Sequence, residues 1–275
     1  MAMSYLRYLY TKALATLLRA VVLTFFHLAG RRNAHPDEVR HIPCRDKGRT
    51  IKVHIYRSSD KTSPSPVLVN FHGSGFMLPL HGSDDEFCRF ISSRTKYDVI
   101  DVSYRLAPEH PFPAALNDTE DAVKYVLGRP DDGHAFPQDT FRSVLAIYPS
   151  VDLSRPITEK IAPDSTGRPL PNRVLRFFSS CYVPGLDRKD PRISPALAPL
   201  ERFPRRVLMI TASGDSLCLE AERLAESLKS VPGSHVVCER MQQCSHGWDK
   251  KPRAGPAQAA ATKKAYGLAV EMLNE

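Results

Sequence analysis

The sequence has a single tryptophan, and its six cysteines (Cys44, Cys88, Cys181, Cys218, Cys238, Cys244) form no C-x-x-C pair and have no histidine at zinc-finger spacing. The expectation is therefore buried reduced thiols, with no metal centre and no disulfide scaffold. Glycine (14) and proline (23) are near average usage, which excludes collagen, low complexity and disorder. No internal repeat is present. The 38 basic against 30 acidic residues give a net charge of +8, but the basic residues are scattered and no aromatic-interleaved stripe accompanies them, so no nucleic-acid partner is expected. A long clean apolar run is also missing. From Ala13 to Ala29 the chain is largely apolar, yet Arg19 and His27 interrupt it, Arg31 and Arg32 follow, and the longest clean stretch is Ala20 to Phe26. No small-residue cleavage pattern follows. The expectation is a helix from about Tyr5 to Gly30 packed on the protein, with peripheral membrane contact through residues 5–30 as the alternative. A cytoplasmic location is expected, with membrane association left open.

What is present is enough apolar sequence for one sizeable core: 42% of 275 residues. Apolar residues alternate over Thr50–Tyr56, and short apolar runs occupy Val67–Phe71, Asp98–Ser103, Ser143–Tyr148, Arg206–Thr211 and His235–Met241, all read as strands. Helical spacing marks Asp84–Ser93, Ala114–Leu127, Asn172–Ser180, Leu219–Lys229 and Ala257–Leu273. Strands alternating with helices predict an α/β three-layer sandwich with a mostly parallel central sheet. Residues 1–45 read as an N-terminal helix and connector, and residues 46–275 as the main domain with an insertion at about 154–202, plausible as a helical cap.

Ligands of such sheets sit beyond the carboxyl ends of the strands, so the residues just after each strand carry the functional information. After the 67–71 run comes His72-Gly73-Ser74-Gly75-Phe76, where small residues let backbone N–H groups face a developing oxyanion. A tight turn is the plainer reading of the same residues. After the 206–211 run comes Gly214-Asp215, and after the 235–241 run comes Ser245-His246-Gly247. Each residue alone is ordinary. On neighbouring strand ends, however, a carboxylate can hold the imidazole's Nδ1–H and leave Nε2 as a base.

Together with His72–Phe76, Asp215 and His246, the run Tyr104-Arg105-Leu106-Ala107-Pro108-Glu109-His110-Pro111-Phe112-Pro113-Ala114, then Tyr148-Pro149 and Asp190-Pro191-Arg192-Ile193-Ser194-Pro195, resemble the hormone-sensitive-lipase-like, arylacetamide-deacetylase-like branch of the α/β hydrolases (fold-3 family). The resemblance runs from about Ile51 to the C-terminus. It implies a cofactor-free carboxylesterase or deacetylase lineage acting on small acylated substrates, with the N-terminal helix and the 154–202 insertion as cap. It further implies Asp215 as the acid, His246 as the base, and Gly73, Ser74 and Gly75 as the oxyanion loop. Ser74 stands where a glycine is common, a mild change because the donor is backbone.

The family's nucleophile sits in a G-x-S-x-G elbow, and this chain has none. The interval where the elbow belongs, Gly128 to Arg142, contains no serine, and it is too short for a strand of about five residues, a turn and a helix of about ten. Two other serines are lesser candidates. Ser150 follows a strand end but sits behind Pro149 without flanking glycines. Ser216 lies in a Gly-Asp-Ser-Leu block that matches a different esterase class, though the residue three before His246 is Gln243 rather than the Asp of that class. The expectation is a hydrolase relative without its nucleophile and with negligible hydrolysis. The alternatives are a non-catalytic binder of a small apolar or acylated ligand, or the product of an incomplete gene reading that skips a segment near Arg129 to Phe136. The abrupt break in an otherwise intact pattern favours the last.

Overall fold

The computed structural model describes residues 5–29, 34–60, 65–129, 136–137, 140–164, 167–250 and 255–275. These form two compact units, residues 1–134 with 178–185, and residues 135–177 with 186–275. The α/β class expected from the sequence is what both display.

The first unit is built on a four-stranded sheet in the order β1-β2-β4-β3, with β1 Glu38–Pro43, β2 Thr50–Tyr56, β3 Val67–Asn70 and β4 Asp98–Val102. β1 and β4 both run antiparallel to β2, while β3 runs parallel to β4. Helices α2 (Asp85–Arg94) and α3 (Ala114–Val126) accompany the sheet. Ile42, Ile51, Val53, Ile55, Val102 and Ala122 make its core. β1 corrects the reading of residues 31–49 as a polar connector. Its Glu38-Val39-Arg40-His41-Ile42 pattern buries only Ile42, because an edge strand needs one covered face and can keep charges on the other. The β1–β2 pairing also crosses the expected division at residue 45, so 1–45 is not a separate body in this fold.

The helix α1 (Tyr5–Leu28) departs from the expected packing on the protein. Only Thr11 and Ala15 are buried along it, while Leu6, Tyr10, Leu17, Val21 and Phe25 are exposed. Its apolar residues lie around most of the cylinder rather than on one stripe, so a single contact line leaves the rest uncovered. By length and apolar composition alone this helix is sufficient to cross a bilayer, although the sequence reading found its longest clean run too short. Thr11, Thr16 and Thr24 are tolerable interruptions in a helix, and its few basic residues, Arg7, Lys12 and Arg19, leave an apolar stretch of sufficient mean hydropathy.

The second unit carries a fully parallel three-stranded sheet, β5 Ser143–Ile147, β6 Arg206–Ala212 and β7 His235–Met241, in that order. Helices α5 (Cys218–Lys229) and α6 (Pro256–Asn274) belong to it. Val207, Met209, Ala221, Leu224, Ala225 and Leu228 pack between β6 and α5. Helix α4 (Asn172–Tyr182) has its last residues, Phe178 onward, in the first unit. The predicted central sheet is thus two sheets, and β3 and β5 are each the last strand of theirs. All six cysteines are free; Cys44 and Cys238 are half-buried and the other four buried.

Candidate active site

In the second unit, β6 and β7 end side by side, with Ala212 opposite Met241. The loops that follow are tied together by Ser213 N–H to Met241 O (3.0 Å) and Gly214 N–H to Cys244 O (2.8 Å). Gly214 is required by this approach, since a Cβ there would meet the Cys244 carbonyl and the Gly167 Cα at 3.0 Å. The result brings together the two residues singled out by strand-end position. His246 Nδ1 lies 2.8 Å from Asp215 Oδ2, and the Leu217 amide donates to Asp215 Oδ1 at 3.0 Å. The Asp215 side chain is 1% exposed and that of His246 27%. A buried carboxylate held by an amide on one oxygen and by Nδ1–H on the other fixes the imidazole tautomer that leaves a lone pair on Nε2. Among the described residues, Nε2 has no hydrogen-bond partner.

An aromatic frame that the sequence reading missed holds this imidazole. The Tyr148 ring meets His246 edge-on at 4.7 Å and Trp248 at 5.1 Å, and its hydroxyl donates to Asp249 Oδ1 at 2.7 Å. Tyr266 donates to the other Asp249 oxygen at 3.1 Å. The available signal was that the chain's one tryptophan stands two residues after His246.

Neither lesser serine candidate reaches the base. Ser150 Oγ faces Glu220 Oε1 at 3.4 Å, within a buried cluster where Glu220 also accepts from the Val151 and Asp152 amides and pairs with Lys160. Ser216 Oγ is buried and has no hydrogen-bond partner among the described residues. In the interval 128–142, where the elbow was sought, residues 130–135 and 138–139 lie outside the described residues.

In the first unit, the loop after β3 carries Gly73, Ser74 and Gly75. Among the described residues, none of their amides donates to a protein acceptor, so a short run of N–H groups is available to an anion. Tyr104, just past β4, organises this loop. Its hydroxyl donates to the His72 carbonyl at 2.5 Å, so the 2.7 Å contact with Ser74 must be Ser74 Oγ donating to Tyr104. The Ser74 hydroxyl is thereby spent on structure. Gly75 (φ +57°) and Phe76 (φ 58°) both adopt the left-handed region. For Phe76 this costs energy, offset by ring stacking on Tyr182 at 3.7 Å and by the Ala107 N–H to Phe76 O bond.

One further group joins residues that sequence spacing gave no reason to connect. Ring nitrogens of His54 and His81 and a carboxylate oxygen of Asp101 lie within 4.8 Å of one another. Burial is the largest influence on both imidazoles. It lowers His54 from its ordinary value and takes His81 down to about 3, disfavouring the charged form of each. The expectation of no metal site rested on linear spacing and did not weigh this arrangement.

A family profile described as alpha/beta hydrolase fold matches the chain in two segments, residues 68–141 and 134–250. Carboxylesterase NlhH of Mycobacterium tuberculosis (strain ATCC 25618 / H37Rv) is 30% identical over 80% of this chain and 77% of its own length. Ethyl acetate hydrolase of Pseudomonas putida is 29% identical over 68% of this chain and 70% of its own. Among solved structures, an esterase from Pyrobaculum calidifontis superposes with a TM-score of 0.70 at 26% identity, covering 98% of this chain and all of that one. An α/β hydrolase from the metagenome of Lake Arreo reaches 0.78 at 23% identity, over 95% and 90%.

Proposed function

This chain belongs to the α/β hydrolase fold family, in its carboxylic ester hydrolase lineage, and from that premise we propose that it keeps the acid, base and oxyanion donors of acyl transfer but lacks the attacking hydroxyl. Asp215 is the orienting acid, His246 the base, and the amides of Gly73, Ser74 and Gly75 the oxyanion donors. The observation that carries the reading is the state of His246: Nδ1 is fixed by Asp215, and among the described residues Nε2 meets no serine. A further observation supports it. The family match is split into two segments that overlap at residues 134–141, inside the interval where the elbow belongs.

An imidazole base with no hydroxyl to deprotonate has only water to activate. Loss of the serine in a serine hydrolase costs roughly a million-fold in kcat, leaving the small residue that binding and oxyanion donors provide. Hydrolysis of a small acylated substrate is therefore expected near background, while such a ligand can still be held. A fluorophosphonate probe tests this directly on the purified chain: the expected outcome is no covalent labelling. A phosphonate adduct mapped to Ser150, Ser216 or any other side chain would overturn the proposal. The genomic sequence between the codons for Arg129 and Phe136 separates the two histories, since an in-frame segment encoding a glycine-flanked serine would make this an incompletely read esterase rather than a non-catalytic relative.

A further inference from the structure

β2 and β4 run antiparallel in a register that sets His54 directly opposite Asp101. The loop after β3 then brings His81 over the same spot, where its ring packs on His54 at 4.0 Å between centroids. Gly82 makes that return possible. It has φ +81°, and a Cβ there would strike the Ala34 side chain at 2.9 Å and crowd the His54 ring at 3.5 Å. Asp101 is fully buried and oriented by two donors, Asn70 Nδ2 on Oδ1 at 2.8 Å and the Gly82 amide on Oδ2 at 3.2 Å. His81 Nε2 lies 3.3 Å from Asp101 Oδ2.

Two features of this cluster are unexplained by packing alone. His54 is 7% exposed, yet its Nδ1 has no hydrogen-bond partner among the described residues, and a buried orphan of this kind costs free energy unless something fills the position. In addition, three metal-ligating side chains are gathered at one spot, where His81 Nε2 also lies 3.1 Å from the Asp101 carbonyl oxygen, a contact that a bound ion would have to replace. Ligands about 2.1 Å from a tetrahedral ion are about 3.4 Å apart, and the His81–Asp101 pair already has that spacing. His54, within 4.8 Å, would complete three positions by turning its ring out of its packing on His81, leaving a fourth for water.

We propose that His54, His81 and Asp101 form a binding site for a divalent cation of the zinc class, which clamps the 71–84 loop onto β2 and β4. The donor set selects the ion. Two imidazoles and one carboxylate suit zinc and its borderline neighbours, whereas magnesium and calcium want six or more oxygens. The clamp is structural and independent of hydrolysis: it would order the same loop that carries Gly73, Ser74 and Gly75 whether or not a nucleophile exists. No thiolate takes part.

The test uses the full chain, stripped with chelator and titrated with zinc chloride, with magnesium and calcium chloride in parallel. The expected result is one zinc per chain, a raised unfolding temperature on zinc addition, and no response to magnesium or calcium. His81→Ala should weaken zinc binding by more than about 100-fold, because removing a ligand costs more than removing a residue that only orients one. Absence of stoichiometric zinc uptake by the parent chain, or undiminished uptake by a folded His81→Ala variant, would overturn the proposal. Should that variant fail to fold, cobalt(II) bound to the parent chain decides. Visible bands of a nitrogen- and oxygen-ligated ion sustain the site, and a thiolate charge-transfer band would assign the metal to cysteine and overturn it.

Discussion

In each unit an interior strand lies beside an edge strand of similar composition, and the two have different fates. β4 buries Val99 through Val102 and β6 buries Val207 through Ala212, whereas β3 (Val-Leu-Val-Asn) and β5 (Ser-Val-Leu-Ala-Ile) are half-buried along their whole length. Runs that are apolar on both faces are the signature of strands whose two faces are covered. Burial is therefore not a property of the strand's own residues but of what covers it. The loops that follow these edges are ordered from elsewhere: Tyr104, past interior β4, pins the loop after β3, and Asp249 and Trp248 hold Tyr148 at the end of β5.

The sharpest test of that contrast uses the same substitution on two register partners. Ile210 in β6 is fully buried, and Ile147 in β5 lies directly opposite it but is half-buried. Ile210→Ala should cost about 2–5 kcal/mol, as transfer and cavity terms combine in a close-packed site. Ile147→Ala should cost no more than about 1.5 kcal/mol, since a partly exposed side chain forfeits only part of its transfer energy. Urea unfolding of both variants measures the difference. Equal losses would mean that β5 is covered as thoroughly as an interior strand.

A second contrast lies within the donor loop. Gly73 has an ordinary backbone and nothing within 4 Å of where a Cβ would stand, while Gly75 has φ +57° and its Cβ would fall 2.1 Å from the Phe178 ring. Gly75→Ala is expected to lose at least about 1–2 kcal/mol from backbone strain, with the clash added. Gly73→Ala should be nearly silent in thermal unfolding. The third test removes a single oxygen: Tyr104→Phe deprives the His72 carbonyl of its donor and the Ser74 hydroxyl of its acceptor, with an expected loss of about 1 kcal/mol. Hydrogen exchange at the 73–75 amides should rise with it, and unchanged exchange would remove Tyr104 from its organising role.

What the sequence made legible follows the same division between local and non-local physics. Period-2 and helical patterns located β2, β7 and the helices to within a residue or two, because each pattern is written in consecutive residues. Strand-end position brought Asp215 and His246 together, because β6 and β7 are consecutive and parallel. β1 was hidden since an edge strand with charges outward has no clean alternation. The His54–Asp101 juxtaposition was hidden more deeply: it depends on an antiparallel register, and a slip of one residue would send His54 to the other face. Tyr104 lay inside the most distinctive motif of the chain, but its role depends on a carbonyl from another strand's loop.

The smallest expected effect concerns how α1, with so little of its surface covered, is held at all. Arg19 donates to the Met77 and Ala107 carbonyls and forms a two-point pair with Glu109 at 2.8 and 2.9 Å. Burial pushes the Glu109 carboxyl up, but hydrogen bonds and charge from Arg19 outweigh it and leave the group below its ordinary 4.5. A carboxylate with a lowered folded value stabilises fully above the unfolded value, and that contribution is lost as pH falls below about 4.5 and through the folded one. For a partly exposed pair the amount is about 0.5–1 kcal/mol. The hydrogen-exchange protection of α1, taken relative to the intrinsic exchange rate at each pH, should therefore fall between about pH 5 and about pH 3, bounds on either side of that transition. Glu109→Gln should show the lower protection already at neutral pH and little further change with acid. If α1 is equally protected at both pH values in the parent chain, the ion pair is not its tether, and the neutral Arg19 bonds to Met77 and Ala107 suffice.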